Sequence, residues 1–143
     1  MVISADGECN YLAPNYVEGM FAVKVNVRNG ECEVPKQEIA TELSLEASVY
    51  QSLVLGVKDY VNKNKFIGVV LGLSGGIDSA LTLAVAVDAL GSDRVEAVMM
   101  PFEYTSELSL EVAGQQAEML GVNLSLIHIS EPTRPRLISY AVF

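Results

Sequence analysis

Histidine is nearly missing from this chain, tryptophan is missing altogether, and positive charge is scarce. One histidine, His128, stands in 143 residues, so a metal site or proton relay built on several imidazoles is excluded. Lysine and arginine number 9 against 18 aspartates and glutamates, a formal net charge of −9. So acidic a chain repels a polyphosphate backbone, and no nucleic-acid partner is expected. Two cysteines, Cys9 and Cys32, are too few for a disulfide scaffold and are expected as reduced thiols of a cytoplasmic protein. No uncharged apolar run reaches about 18 residues, so no membrane-spanning helix is expected. Met1 to Asp6 lacks the basic-then-apolar order of a signal peptide. What the chain does have is apolar content, 50% of its residues, which suits a packed core.

Residues 1–34 read as β structure. Val2 to Cys9 is a hairpin candidate turning at Asp6-Gly7, and Phe21, Val23, Val25 and Val27 alternate with polar or small residues up to the turn pair Asn29-Gly30. Isolated hairpins bury little apolar surface, so this segment is expected to be the end of a larger domain. Val34 to Leu43 is a connector. The spacing of Val49, Leu53, Val57, Tyr60 and Val61 predicts an amphipathic helix over about Ser44 to Asn62, its apolar stripe packed. Phe66 to Leu73 suits a strand buried on both faces. Ala80 to Leu90 is an apolar helix ended by Gly91, Arg94 to Met100 a second strand, and Ser106 to Leu120 a second helix with Ser109 as a plausible cap and Gly121 as its stop. The β-loop-α-β-loop-α order predicts an α/β fold, the start of a doubly wound parallel sheet.

The chemistry sits in Ser74-Gly75-Gly76-Ile77-Asp78-Ser79, between the first of these strands and its helix. A helix N-terminus offers unpaired N–H groups and partial positive charge. Gly75 and Gly76 can adopt positive φ and let an anion approach the backbone, and Ser74 and Ser79 add hydroxyl donors. Together these make a phosphate site at the C-terminal end of a strand, where open α/β sheets bind ligands. Asp78 would repel a phosphate, but it suits a magnesium ion that also takes phosphate oxygens. The string is neither a Walker A loop, lacking Gly-Lys-Ser/Thr, nor a dinucleotide fingerprint, lacking Gly-x-Gly-x-x-Gly.

Ser74 to Ser79 resembles the pyrophosphate loop of the N-type ATP pyrophosphatases. Val69 to Leu73 before it, Ala80 to Gly91 after it, then Val95 to Pro101, Tyr104-Thr105-Ser106 and Ser109-Leu110-Glu111 are similar to the glutamine-dependent NAD synthetases. The resemblance runs strongly from Val49 to Asn123. It implies a Rossmann-like ATP pyrophosphatase domain over residues 41–123, preceded in 1–40 by the last strands of a nitrilase-like glutaminase domain. It further implies ATP and Mg²⁺ as cofactors, with Gly72, Leu73, Ser74, Gly75, Gly76, Ile77, Asp78 and Ser79 holding ATP, Asp78 holding the metal and Met100 touching adenine. The implied reaction adenylylates nicotinic acid adenine dinucleotide, releasing pyrophosphate. Ammonia from glutamine then displaces AMP to give NAD, in a homo-oligomeric parent protein. Two departures stand out. Phe102-Glu103 replaces the Ser-Arg or Ser-Pro of many relatives, and nothing here matches the nitrilase Glu, Lys and Cys, so no catalytic residue is assigned. Another ATP-pyrophosphatase amidotransferase, such as a GMP synthetase, is the alternative enzyme. A non-catalytic nucleotide-binding module is the alternative of another class, and too few strands argue against it.

Leu124 to Arg134 reads as the translation of a transposase-type sequencing adapter, and Ile138 to Phe143 as that of its flanking arm, with Pro135-Arg136-Leu137 in the place of a sample index. Residues 124–143 are therefore expected to be a non-native tail and not part of the fold. The chain itself is expected to be inactive and poorly stable, with Val85, Val87 and Leu90 lacking partners and sheet edges left open.

Overall fold

The computed structural model describes residues 1–101 and 105–127. The chain divides into two compact units, Met1–Ser52 and the residues from Leu53 onward.

In the first unit, β1 (Val2–Ile3) and β2 (Cys9–Tyr11) pair antiparallel, and Ser4 N donates to Glu8 O at 2.9 Å across the expected Asp6-Gly7 turn. A second hairpin joins β3 (Asn26–Arg28) to β4 (Glu31–Glu33), with Val27 opposite Cys32. Its turn residues Asn29 and Gly30 have φ of 53° and 85°, the positive pair a tight hairpin turn demands. The strand expected from Phe21 is shorter than its alternation suggests, because Phe21 to Val25 gain no ladder. The Gln37 side chain takes the backbone there instead: Lys24 N donates to Gln37 Oε1 at 2.8 Å and Gln37 Nε2 donates to Lys24 O at 3.1 Å. No buried apolar residue of the described chain precedes Val61. Hydrogen bonding, not a core, holds this unit together, as the scarcity of strands led one to expect.

Helix α1 (Leu45–Lys63) lies where its periodicity puts it, with Ser44 Oγ accepting from Ala47 N at 3.2 Å. Its stripe is not packed as expected: Val61 is buried, but Val49, Leu53 and Tyr60 are half exposed or more. The second unit continues with β5 (Val69–Gly72), α2 (Ile77–Leu90), a 3₁₀ turn (Ser92–Arg94), β6 (Val95–Met99), α3 (Glu107–Met119) and β7 (Asn123–Leu126). The three strands form one parallel sheet in the order β5-β6-β7, the α/β architecture the sequence predicts. Arg94 fastens the entry to this sheet. Its guanidinium donates to Ile67 O, Phe66 O and Asn62 Oδ1, each at 2.9 Å.

The parallel register opposes Val69 to Val95, Leu71 to Ala97, and Ala97 in turn to Leu124. Alternation then sends these side chains to one face. There they meet Leu83 and Ala86 of α2 and Ala113 and Ala117 of α3 in the core. Val70, Gly72, Glu96 and Val98 fall on the opposite face by the same parity, and Val70 is 67% exposed.

Two expectations fail here. The α/β unit does not stop at Asn123: the alternating Leu124-Ser125-Leu126 forms β7, with Leu124 packed on the core and Ser125 Oγ donating to Glu96 Oε1 at 2.9 Å. Alternation of this kind satisfies the demands of a strand whatever its origin, and the strand-count objection to a nucleotide-binding module lapses with it. Nor do Val85, Val87 and Leu90 lack partners, since Val85 is buried and the other two pack against the core.

Candidate nucleotide site

The strand β5 ends at Gly72 and α2 starts at Ile77, so the chain turns through Leu73–Gly76 at the C-terminal edge of the sheet. Leu73 stays anchored: its side chain is buried and its N–H donates to Val98 O at 2.9 Å. Helix α2 starts earlier than the Ala80 expected from its apolar run, because Ile77, Asp78 and Ser79 already form its first turn. Gly76 is its N-cap and supplies no side-chain cap. The leading N–H groups of α2 therefore face the loop without a side-chain acceptor, the condition that favours an anion.

The loop is braced from within. Ser79 Oγ donates to Gly76 O at 2.9 Å and accepts from Ser74 N at 3.3 Å. Ser74 Oγ accepts from Gly76 N at 3.3 Å, which leaves its own proton for Ser79 Oγ, 3.0 Å away. Both hydroxyl protons are thus committed inside the loop. Ser74 and Ser79, expected to donate to phosphate, here bond within the loop and brace its backbone.

Gly75 has φ of +80°, and a Cβ built on it would lie 2.5 Å from the carbonyl oxygen of Ser109. The loop therefore rests against the first turn of α3, and only glycine fits. That turn is capped by Ser106, not by Ser109 as expected: Ser106 Oγ accepts from Ser109 N at 3.2 Å, and the two hydroxyls are 2.8 Å apart. Serine stands at both positions of the Ser-x-x-Ser spacing, and the extended backbone at Ser106, φ −67° and ψ 145°, is what makes it the cap.

Between loop, strand ends and α3 lies an open cleft of about 520 Å³. Of the residues expected to bind nucleotide, Gly72, Leu73, Ser74 and Met100 line it. Met100 is 56% exposed, so it is not a core methionine. Gly75, Gly76, Ile77, Asp78 and Ser79 follow Ser74 in the chain but do not line the cleft wall, and Ile77 is 80% exposed. Thr105, Ser106 and Ser109 complete the wall. Sequence reading gave these three no site role, although hydroxyl residues opening a helix directly after a strand were the available signal. Phe102 and Glu103, the place of the departure from relatives, lie outside the described residues, as do Tyr104 and His128.

Asp78 is exposed in the first turn of α2. Among the described residues no three His, Cys, Asp or Glu side chains cluster as a metal cage. One carboxylate beside the turn expected to take phosphate would suit Mg²⁺ shared with phosphate oxygens, and does not fit a metal held by protein alone. No helix of the described residues is long and apolar enough to cross a membrane.

The NAD synthase family model matches residues 49–138. A glutamine-dependent NAD(+) synthetase of Acinetobacter baylyi is 45% identical over 128 residues, 90% of this chain and 23% of that protein. One from Xylella fastidiosa is 51% identical over 107 residues, 74% of this chain and 19% of that protein. Among solved structures, the glutamine-dependent NAD+ synthetase of Acinetobacter baumannii in complex with ADP superposes with a TM-score of 0.65 at 54% identity, covering 66% of this chain and 18% of that one. The NH3-dependent NAD synthetase of Campylobacter jejuni gives a TM-score of 0.54 at 32% identity, covering 58% of this chain and 36% of that one. The chain thus spans about a quarter or less of the length of the curated relatives it matches. On the match to residues 49–138, joined to a sheet, loop and cleft of the kind described, this chain belongs to the NAD synthase family.

Proposed function

We propose that the cleft is the ATP seat of a glutamine-dependent NAD synthetase. The parent protein would amidate nicotinic acid adenine dinucleotide through an adenylylated carboxylate, releasing pyrophosphate, and ammonia from glutamine would then displace AMP. The observation that carries this reading is the uncapped N-terminus of α2, reached through a glycine turn held rigid by Ser74 and Ser79. The N–H groups of Ile77, Asp78 and Ser79 would take up the charge that grows on the leaving pyrophosphate, a preorganised electrostatic role. Gly72 leaves the cleft open beside Met100, on which the adenine would rest. Asp78 would hold Mg²⁺, which when bound supplies further neutralisation of phosphate charge. No covalent step is assigned to a side chain of this chain.

The remaining assignments rest on the family resemblance and, for the tail, the compartment and the lack of nucleic acid, on the sequence itself. Residues 1–40 would end the nitrilase-like glutaminase domain, 41–123 would open the synthetase domain, and 124–143 would be the adapter-derived tail. The parent would be a cytoplasmic homo-oligomer acting on ATP, nicotinic acid adenine dinucleotide and glutamine or ammonia, without nucleic acid.

The test is a titration of the chain with ATP, with and without Mg²⁺, followed by competition with inorganic pyrophosphate. Saturable binding that pyrophosphate displaces is expected. A chain that melts as a folded protein yet binds neither ligand up to millimolar concentration would sink the assignment.

A further inference from the structure

We propose that Ser106 is a positioning residue for the pyrophosphate loop, acting through the first turn of α3. The inference rests on the reading of the cleft as the ATP seat. The contact that transmits it is backbone to backbone: the Gly75 Cα side, which has no room for a Cβ, sits against the Ser109 carbonyl. That carbonyl belongs to the turn that Ser106 closes, with Ser106 Oγ accepting from Ser109 N at 3.2 Å and Ser106 O accepting from it at 3.0 Å and from Leu110 N at 3.3 Å. Losing the hydroxyl leaves the Ser109 N–H with the Ser106 carbonyl as its acceptor and loosens the turn, as cap loss does generally. The Ser109 carbonyl then ceases to be a fixed wall, and Gly75 can leave the +80° conformation in which the loop presents its N–H groups.

Ser74 and Ser79 brace the loop internally. Gly76 meets only the Ser74 hydroxyl, at 3.4 Å from a built Cβ. The Ser109 hydroxyl lies 2.8 Å from Ser106 Oγ and belongs to the same capped turn.

The chain is compared as wild type, Ser106→Ala, Ser106→Gly and Ser106→Thr. Hydrogen exchange of the peptide spanning Leu73 to Ser79 is followed without ligand, and affinity is measured for Mg-ATP and for inorganic pyrophosphate. Ser106→Ala should speed exchange in that peptide and weaken both ligands about fivefold, the factor a lost cap corresponds to. Ser106→Thr should restore both. Should Ser106→Ala fail to fold, Ser106→Gly, a milder cap loss, reads the same way. Unchanged loop exchange in the Ala and Gly variants overturns the proposal. Weaker binding with unchanged exchange also overturns it, since the hydroxyl would then touch ligand directly. If the wild type binds neither ligand, the ATP reading fails, while the exchange arm still decides whether Ser106 positions the loop.

Discussion

Gly72 and Gly75 stand three residues apart and should respond to substitution in opposite ways. A Cβ built at Gly72 meets no atom within 4 Å, and its φ is not positive. A Cβ there has open space, and a side chain in a strand recovers the about 0.5–1 kcal/mol that glycine forfeits. A valine side chain would share the face of Val98 at the wall of the cleft. A Gly75→Ala change carries two penalties. A non-glycine residue at φ +80° costs about 1–2 kcal/mol, and overlap with the Ser109 carbonyl oxygen adds about 1–3 kcal/mol of the kind overpacking brings. The expected total, about 2–5 kcal/mol, is a large share of what holds a small domain together. Urea unfolding and ATP titration, run side by side, check the pair. Gly72→Val should keep or raise the unfolding midpoint while weakening ATP at least about tenfold, a change of about 1.4 kcal/mol. Gly75→Ala should lower the midpoint and the affinity together. A folded Gly72→Val chain that binds ATP as tightly as the wild type would refute the placement of nucleotide against β5.

Other outcomes follow from the same geometry. Asp78→Asn should weaken ATP binding when Mg²⁺ is present and leave it unchanged, or slightly stronger, in a chelator. Removing the Arg94 side chain by Arg94→Ala takes away three hydrogen bonds to Ile67, Phe66 and Asn62, and should cost about 2 kcal/mol in chemical denaturation, partly screened by solvent. In the first unit, the Ser4 hydroxyl, and after it the Glu8 N–H, hold the Asp6 carboxyl below its usual 3.8. A depressed carboxyl stabilises the hairpin above its ordinary pKa and stops doing so as pH falls through the lowered one. The β1–β2 turn should therefore loosen in acid below about pH 4, seen as loss of the Ser4 and Glu8 amide protection. Long-read sequencing of the locus through the Asn123 codon should replace residues 124–143 by an open frame that continues. Persistence of the tail in genomic DNA would refute its adapter origin.

Much of the fold was legible because its signals are local. The apolar run ending at Leu73, the glycine pair and the apolar stretch after Ser79 need only neighbours in sequence, so β5, the loop and α2 appear in the expected order, though β5 is shorter and exposes Val70 on the face expected to be buried, and α2 begins three residues early. The failures are contacts across the chain. Alternation from Phe21 promised a strand, but a strand needs a ladder, and Gln37 took the backbone hydrogen bonds of Lys24. The stripe on α1 promised burial, and only Val61 received it. Setting aside everything after Asn123 hid β7, since an argument about where residues came from does not govern whether they can pair. At the site, the loop residues were named in full, but their division of labour was not. Sequence could not show that the Ser74 and Ser79 hydroxyls spend their protons on each other and on Gly76. Nor could it show that the opposite wall is built by the turn Ser106 caps.

The bracing of Leu73–Ser79 has a kinetic consequence. A glycine loop that folded only around its ligand would make capture wait on a conformational search and would lose chain entropy at that moment. Here the ordering cost is met during folding, by the Ser74 and Ser79 hydroxyl bonds within the loop. Association should therefore run at the rate of diffusional encounter with a ready-made cup, in a single phase linear in ligand concentration. Differences among nucleotides should appear in how long each stays, not in how fast each arrives.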